Sequence, residues 1–262
     1  MAYTTITLDI VDHVAHLRLD RPANANSLNA EMARDLRDAA IGLGRDRTVR
    51  AVLLTGEGKV FCGGGDLASF AEQGDDLPAF IEQVTADFHV ALARFAQMDA
   101  PVIAAVRGTA GGAGLSLVAA CDLVVCGTSS RFTMGYTKVG LVPDGSSSFY
   151  LARNVGLRRA LDLVLTNRVL SADEAEDWGL VNRVVADDEV EKVAGALAAE
   201  LAAGPTRSLG RAKRVMYAGA TSALEEAMER ESLSIADAAE TADAREGIAA
   251  FLARRPAEFT GD

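Results

Sequence analysis

Residues 61–67 read FCGGGDL, and residues 107–114 read RGTAGGAG. Glycine has no side chain, so turns of this kind leave their backbone N–H groups accessible, and two N–H groups aimed at one point can hold an oxyanion. We call these stretches the first and the second turn. Neither fits a nucleotide-binding motif: no GxxxxGK[ST] is present, and the third glycine of GxGxxG is replaced by Leu117. Taken singly, each turn is also compatible with a purely structural role, as a tight bend or a close helix–strand contact.

Asp144 is the third informative feature, within GLVPDG at residues 140–145. A carboxylate beside an oxyanion site can move a proton. The combination indicates acyl-thioester chemistry through an enolate, with the second turn opening a helix whose N-terminus favours negative charge. The alternative is that Asp144 caps the helix that begins with Gly145–Ser148.

The composition is that of a globular protein. Of 262 residues, 49% are hydrophobic and 24% charged, and the net charge of −11 argues against a nucleic-acid or anionic-membrane surface. Three cysteines and three histidines form no metal-binding spacing, so we expect no metal. We also expect no membrane span, since no apolar run reaches about 18 residues. A start without signal-peptide features and an odd cysteine count predict a cytoplasmic protein.

The pattern along the chain predicts an α/β fold. Alternating residues at 4–10 and 14–19 predict a β-hairpin, and Asn29 precedes a helix that runs to about residue 43. Strands and helices then alternate up to residue 185, with a polar, mobile loop expected at 68–78. We predict an α/β core over residues 1–200 and an α-helical region over residues 201–262.

Several segments together resemble the crotonase (enoyl-CoA hydratase/isomerase) superfamily along nearly the whole chain. They are RPANANSL at 21–28, FCGGGDL at 61–67, PVIAAVRG at 101–108, ACDL at 120–123, GLVPDGSSS at 140–148 and REGIAAFL at 245–252. The resemblance implies a crotonase-type spiral of ββα units with a C-terminal α-helical trimerisation region. It also implies an acyl-CoA thioester substrate, no separate cofactor, and a homotrimer or a dimer of trimers.

The resemblance also implies roles for individual residues. The two oxyanion-binding N–H groups fall on Gly65 and Ala113. The residues expected near the coenzyme A part of the substrate are Ala23, Asn24, Gly63, Gly64, Asp66 and Leu67, with Phe251 and Arg254 reaching the coenzyme A of a neighbouring subunit.

The resemblance implies the fold more firmly than the reaction, because one fold can support several chemistries. Crotonase-type hydratases carry two glutamates at positions that fall on Ser116 and Tyr136, so hydration lacks its acids here. The Δ3-Δ2-enoyl-CoA isomerases and epoxyphenylacetyl-CoA isomerases place one acid after the proline of GLxP, which is Asp144. We therefore expect an isomerase that converts 3-enoyl-CoA to 2-enoyl-CoA with Asp144 as its proton shuttle.

Three alternatives stay open. In a dehalogenase resembling those that act on 4-chlorobenzoyl-CoA, Asp144 would be the nucleophile and His89 the catalytic histidine. The tryptophan and phenylalanine of that active site fall on Tyr136 and Gly65, so Tyr136 is a further candidate catalytic residue. Enoyl-CoA hydration is the second alternative, and a non-catalytic acyl-CoA-binding subunit is the third.

Overall fold

The computed structural model describes residues 3–262 and contains two sheets. The six-stranded sheet has the order β1-β2-β3-β4-β6-β9, in which β1 and β2 are antiparallel and the other neighbours are parallel. A three-stranded sheet has the order β5-β7-β8. The strands are β1 Ile6–Val11, β2 Val14–Leu19, β3 Ala51–Gly56, β4 Val102–Val106, β5 Thr109–Gly111, β6 Leu123–Gly127, β7 Arg131–Thr133, β8 Leu170–Ser171 and β9 Arg183–Val185.

Eleven α-helices are found in the described residues, together with short 3-10 helices at Pro22–Asn24, Gly74–Asp76 and Thr137–Val139. The α-helices are α1 Ala30–Leu43, α2 Leu67–Ala71, α3 Leu77–Gln97, α4 Ala113–Ala120, α5 Ser147–Val155, α6 Leu157–Thr166, α7 Ala172–Asp177, α8 Val190–Ala202, α9 Thr206–Gly219, α10 Leu224–Ala239 and α11 Ala242–Ala253.

The large sheet is buried on both faces, which explains why its central strands are almost wholly apolar. One face packs against α8, where Leu53 and Ile103 contact Ala194 and its neighbours. The other face belongs to the main core, which includes the buried sides of α1 and α3. This arrangement holds the ends of β3 and β4 in place, and the two glycine-rich turns lie just beyond those ends.

The hairpin and the helix capped by Asn29 were predicted correctly. Residues 68–78 were not: they form most of α2, the 3-10 helix at Gly74–Asp76 and the start of α3, and not a loop without structure. The carboxylate of Asp66 caps α2 by accepting from the N–H of Ser69 (3.2 Å). The ring of Phe70 then packs edge-on against Phe80 of α3, with ring centroids 6.0 Å apart. The small sheet was also not predicted, because its strands are only two or three residues long.

The C-terminal region is helical, as predicted. The boundary expected at residue 200 lies in the last turn of α8, and residues 203–205 separate α8 from α9. Helices α9–α11 leave large apolar side chains exposed, namely Met216, Leu224, Met228, Leu233, Ile235, Ile248, Phe251 and Leu252. Within residues 3–262 no helix has both the length and the apolar character that crossing a membrane would need.

Candidate active site

The two glycine-rich turns are joined to each other by backbone hydrogen bonds. The N–H of Cys62 donates to the carbonyl of Thr109 (3.2 Å), and the N–H of Gly111 donates to the carbonyl of Cys62 (2.9 Å). The first turn is also tied to the segment before α1, because the N–H of Gly63 donates to the carbonyl of Ala25 (2.8 Å). These bonds fix how the two turns face one another.

Glycine is required where the two backbones touch. A Cβ on Gly64 would lie 3.1 Å from the carbonyl oxygen of Gly111, and Gly64 has a φ of 112°, a conformation that side chains disfavour. A Cβ on Gly114 would lie 2.7 Å from the Cβ of Cys62 and even closer to the Cys62 carbonyl oxygen. The close approach of the turns therefore explains the glycine-rich sequence.

The N–H groups of Gly65 and Ala113 are available to a ligand. Across residues 3–262 neither of them donates a hydrogen bond to a protein acceptor. Ala113 is the first residue of α4, where the N–H groups of a helix have no partner within it and the helix dipole is positive. Both residues line one cavity of about 390 Å³. The predicted pair of oxyanion donors thus opens into a common space.

Asp144 lines the same cavity and is the one carboxylate to do so among the described residues. Its Oδ1 accepts a short hydrogen bond from the hydroxyl of Tyr136. Its backbone carbonyl accepts from the hydroxyl of Ser116 (2.9 Å), whose Oγ also lies 3.3 Å from Oη of Tyr136. Ser116 and Tyr136, the two positions on which the crotonase resemblance places the hydratase glutamates, thus both contact Asp144.

Tyr136 is a hydrogen-bond donor to Asp144 and not a base. Burial raises the pKa of its phenol well above the ordinary value of 10.0, and the neighbouring charge of Asp144 raises it further. The phenol therefore keeps its proton at neutral pH, and that proton is directed at the Asp144 carboxylate.

The helix-cap interpretation of Asp144 is wrong. Helix α5 begins at Ser147, its N-cap residue is Ser146, and no side chain caps it. It is the backbone carbonyl of Asp144 that accepts from the N–H of Ser147 (3.2 Å). The carboxylate is consequently free of a structural duty at the helix and is available in the cavity.

His89 also lines the cavity, from α3. Its Nε2 accepts a hydrogen bond from the N–H of Gly145 (3.2 Å), so the neutral ring carries its proton on Nδ1. His89 therefore contacts the residue after Asp144 through the backbone.

The remaining lining of the cavity is largely apolar. The ring of Phe70 covers Gly65, since a Cβ there would lie 3.1 Å from two of its ring carbons. The other apolar side chains are Leu28, Leu67, Ile81, Val84, Met134, Val139, Leu141 and Val142. An apolar chamber with one carboxylate and two free N–H groups suits an acyl group activated at its carbonyl.

The residues expected near coenzyme A are placed differently from one another. Gly63, Gly64 and Leu67 line the cavity. Ala23 and Asn24 lie in the 3-10 helix beside the first turn, outside the cavity lining.

The other three expected residues also lie outside the lining. Asp66 is buried, and its carboxylate bonds Arg21 (2.9 Å) and the N–H of Ser69 (3.2 Å), so it orders the first turn. Phe251 lies exposed on α11, and Arg254 ends that helix in a left-handed conformation with φ 54°.

One structural residue of the site was missed from the sequence. The side chain of Asn26 is fully buried, and its amide donates to the carbonyls of Glu57 (2.9 Å) and Val60 (2.8 Å), while its Oδ1 accepts from the N–H of Arg21 (2.8 Å). It thereby ties the segment before α1 to the chain entering the first turn. The signal for this role was the asparagine in RPANANSL, but the carbonyl groups to which its amide donates lie more than 30 residues away.

The cysteines and histidines form no metal site. No group of three or more His, Cys, Asp or Glu side chains in the described part of the chain is arranged to hold a metal ion. Cys62, Cys121 and Cys126 are buried free thiols, and burial raises the pKa of Cys62 to about 11.

A sequence model of the protein family described as "Enoyl-CoA hydratase/isomerase" matches residues 9–262. The chain belongs to the enoyl-CoA hydratase/isomerase family. It has the crotonase fold: it superposes on the crystal structure of an enoyl-CoA hydratase of Mycobacterium smegmatis with a TM-score of 0.91 and 33% identity, covering 98% of this chain and 99% of that one.

Relatives within the enoyl-CoA hydratase/isomerase family differ in the reaction they are named for. The 1,2-epoxyphenylacetyl-CoA isomerase of Escherichia coli strain K12 is 37% identical over 252 residues, which is 95% of each chain. The 4-chlorobenzoyl coenzyme A dehalogenase-2 of an Arthrobacter species is 36% identical over 227 residues, which is 86% of this chain and 82% of that one. Membership therefore establishes hydratase/isomerase-type chemistry on acyl-CoA thioesters and leaves the individual reaction to the site.

Proposed function

We propose that this protein is an enoyl-CoA isomerase that converts 3-enoyl-CoA to 2-enoyl-CoA by a one-base proton shuttle. The observation that carries the proposal is that Asp144 is the single carboxylate lining the cavity within residues 3–262, in the same chamber as the N–H groups of Gly65 and Ala113. A one-base shuttle needs one such group. Addition of water needs a group that deprotonates water and one that protonates the α-carbon.

The steps follow from this arrangement. The carboxylate of Asp144 removes a proton from C2 of the acyl group, and the electrons move into the thioester carbonyl. The N–H groups of Gly65 and Ala113 stabilise the resulting enolate oxygen, aided by the positive end of α4. The carboxyl group then returns the proton at C4 while the double bond forms between C2 and C3. The reaction uses no cofactor, since coenzyme A is part of the substrate.

The other family chemistries are supported less well. Hydration is disfavoured because Ser116 and Tyr136 stand where hydratases carry acids, and the phenol of Tyr136 is held protonated against Asp144. A non-catalytic acyl-CoA binder would have no need of a carboxylate free of structural duty at Asp144.

Assay of the purified protein on 3-hexenoyl-CoA and on 2-hexenoyl-CoA, with mass spectrometry of the products, tests the proposal. We expect the 3-enoyl substrate to give the conjugated 2-enoyl product with unchanged mass. Gain of one water by the 2-enoyl substrate, without isomerisation of the 3-enoyl substrate, would show a hydratase instead.

Dehalogenation is a second candidate, because His89 lines the same cavity as Asp144. In that reaction the Asp144 carboxylate displaces chloride from the aromatic ring, and water then hydrolyses the aryl ester with help from a histidine. The engagement of Nε2 of His89 with the N–H of Gly145 weighs against this role. Chloride release from 4-chlorobenzoyl-CoA, lost in His89→Gln, would support the dehalogenase.

We also propose that the protein assembles as a homotrimer or a dimer of trimers. The exposed apolar side chains of α9–α11 support this, because large apolar side chains concentrated in one region of a surface often mark a site that a partner covers. Light scattering at micromolar concentration tests it, and a monomer would contradict it.

A further inference from the structure

The hydroxyl of Tyr136 donates a hydrogen bond to the carboxylate of Asp144, the proposed base. We propose that Tyr136 is a positioning residue that holds Oδ1 of Asp144 and so leaves Oδ2 as the atom that carries the proton between C2 and C4. This inference rests on the proposed isomerase function and extends it to the geometry of the base.

The two carboxylate oxygens have different surroundings. Oδ1 accepts from Tyr136, whereas Oδ2 accepts no hydrogen bond from any residue between 3 and 262. A carboxylate can turn about its bond to Cβ, since such terminal torsions are broad. The hydrogen bond from Tyr136 to Oδ1 removes this freedom and distinguishes the two oxygens. A shuttle that reaches two carbons of one substrate benefits from a single, fixed proton-carrying atom.

Tyr136 is itself held in place. Its Oη lies 3.3 Å from Oγ of Ser116, in contact but without a second hydrogen bond, because the Tyr136 proton goes to Oδ1 of Asp144 and the Ser116 proton goes to the Asp144 backbone carbonyl (2.9 Å). Ser116 is fully buried in α4, the helix whose first N–H group is that of Ala113. Helix α4 therefore carries both the oxyanion donor Ala113 and the Ser116 hydroxyl that contacts Asp144.

The test compares Tyr136→Phe with a matched control, Tyr217→Phe. Tyr217 lies on α9 and also donates its hydroxyl to a carboxylate, Oδ1 of Asp122 (3.1 Å), away from the cavity. Each substitution removes one hydrogen bond that a tyrosine hydroxyl donates to an aspartate. We expect Tyr136→Phe to lower kcat on 3-hexenoyl-CoA by about 10- to 100-fold, the worth of a hydrogen bond to a charged group. The KM should stay within about threefold, because a positioning role affects the chemical step and not the binding of the acyl-CoA.

The outcomes separate the two proposals. If Asp144→Asn keeps its turnover, the isomerase proposal itself fails. If Asp144→Asn is inactive while Tyr136→Phe keeps the kcat of wild type, only the positioning role of Tyr136 is overturned. Equal losses in Tyr136→Phe and Tyr217→Phe would also overturn it, because the effect would then be general. Should Tyr136→Phe fail to fold, Ser116→Ala serves as the second variant. We expect Ser116→Ala to show a smaller loss of kcat. If Ser116→Ala keeps the kcat of wild type, that result contradicts the proposed positioning of Tyr136 and Asp144.

Discussion

Gly114→Ala should lower both the stability of the protein and its turnover of 3-hexenoyl-CoA, although alanine favours helices. Gly114 lies in α4, where replacing glycine by alanine ordinarily gains about 1 kcal/mol. Here the new methyl group would lie 2.7 Å from Cβ of Cys62, against about 3.5–4.0 Å for two carbons in optimal contact. One of the two turns must therefore move by about 1 Å.

The magnitude follows from that displacement. Overpacking typically costs about 1–3 kcal/mol, so after the helix gain of about 1 kcal/mol we expect a net loss of up to about 2 kcal/mol. This corresponds to a fall in Tm of up to about 8 °C for a chain of this size. Because the turns carry the N–H groups of Gly65 and Ala113, a shift of about 1 Å between them should also lower kcat about 100-fold.

Thermal unfolding and 3-hexenoyl-CoA turnover measure the two effects, with Gly195→Ala as control. A Cβ on Gly195, within α8, would meet nothing within 4 Å, so this variant should gain about 0.4–1 kcal/mol and keep wild-type kcat. A Gly114→Ala protein that is as stable and as active as Gly195→Ala would refute the claim that backbone contact between the turns builds the site.

Two further predictions concern the C-terminal helices. Lys213→Ala should destabilise the protein by about 1.5–3 kcal/mol in denaturant unfolding, because the largely buried Asp122 carboxylate loses the ammonium group 3.0 Å away but keeps donors from Val102 and Tyr217. A loss below about 1 kcal/mol would show that this ion pair does not anchor α9 to the core. Hydrogen bonds from Arg255 and from the N–H of Glu258 lower the pKa of Glu246 from 4.5 to about 2. Since the folded-state pKa is the lower one, this stabilisation is present above pH 4.5 and is lost as the pH falls toward about 2. Glu246→Gln should therefore flatten the Tm-against-pH curve in that window, and an unchanged slope would contradict the assignment.

The features that the sequence predicted well are local ones. Alternating residues predicted the β1–β2 hairpin, and Asn29 indicated the start of α1, because each depends on neighbours in the chain. The glycine-rich turns could be interpreted for the same reason, because residues 61–67 and 107–114 themselves contain the glycines that leave the backbone without side chains.

What the sequence could not predict depends on contacts between distant segments. Helix α2 was taken for a loop, since its five residues are stabilised by the Asp66 cap and by the packing of Phe70 over Gly65. Tyr136 was a candidate only by position, because its bond to Asp144 requires the 3-10 helix at 137–139 to turn the chain back.

The roles of two other polar residues were hidden for the same reason. The burial of the Asn26 amide depends on carbonyl groups that precede the first turn. The ammonium group of Lys213 lies 3.0 Å from Asp122 and contacts the backbone carbonyls of residues 95 and 100, which are all 91 or more positions away in the sequence.

The most direct test of the central claim is the turnover of 3-hexenoyl-CoA by Asp144→Asn beside its affinity for the same acyl-CoA. A carboxamide keeps the shape of the side chain but cannot accept and return a proton, so kcat should fall by about 10²- to 10⁴-fold. The Kd should stay within about threefold, because Gly65, Ala113 and the apolar lining are untouched. An Asp144→Asn protein that retains more than about a tenth of wild-type kcat would contradict the assignment of Asp144 as the base.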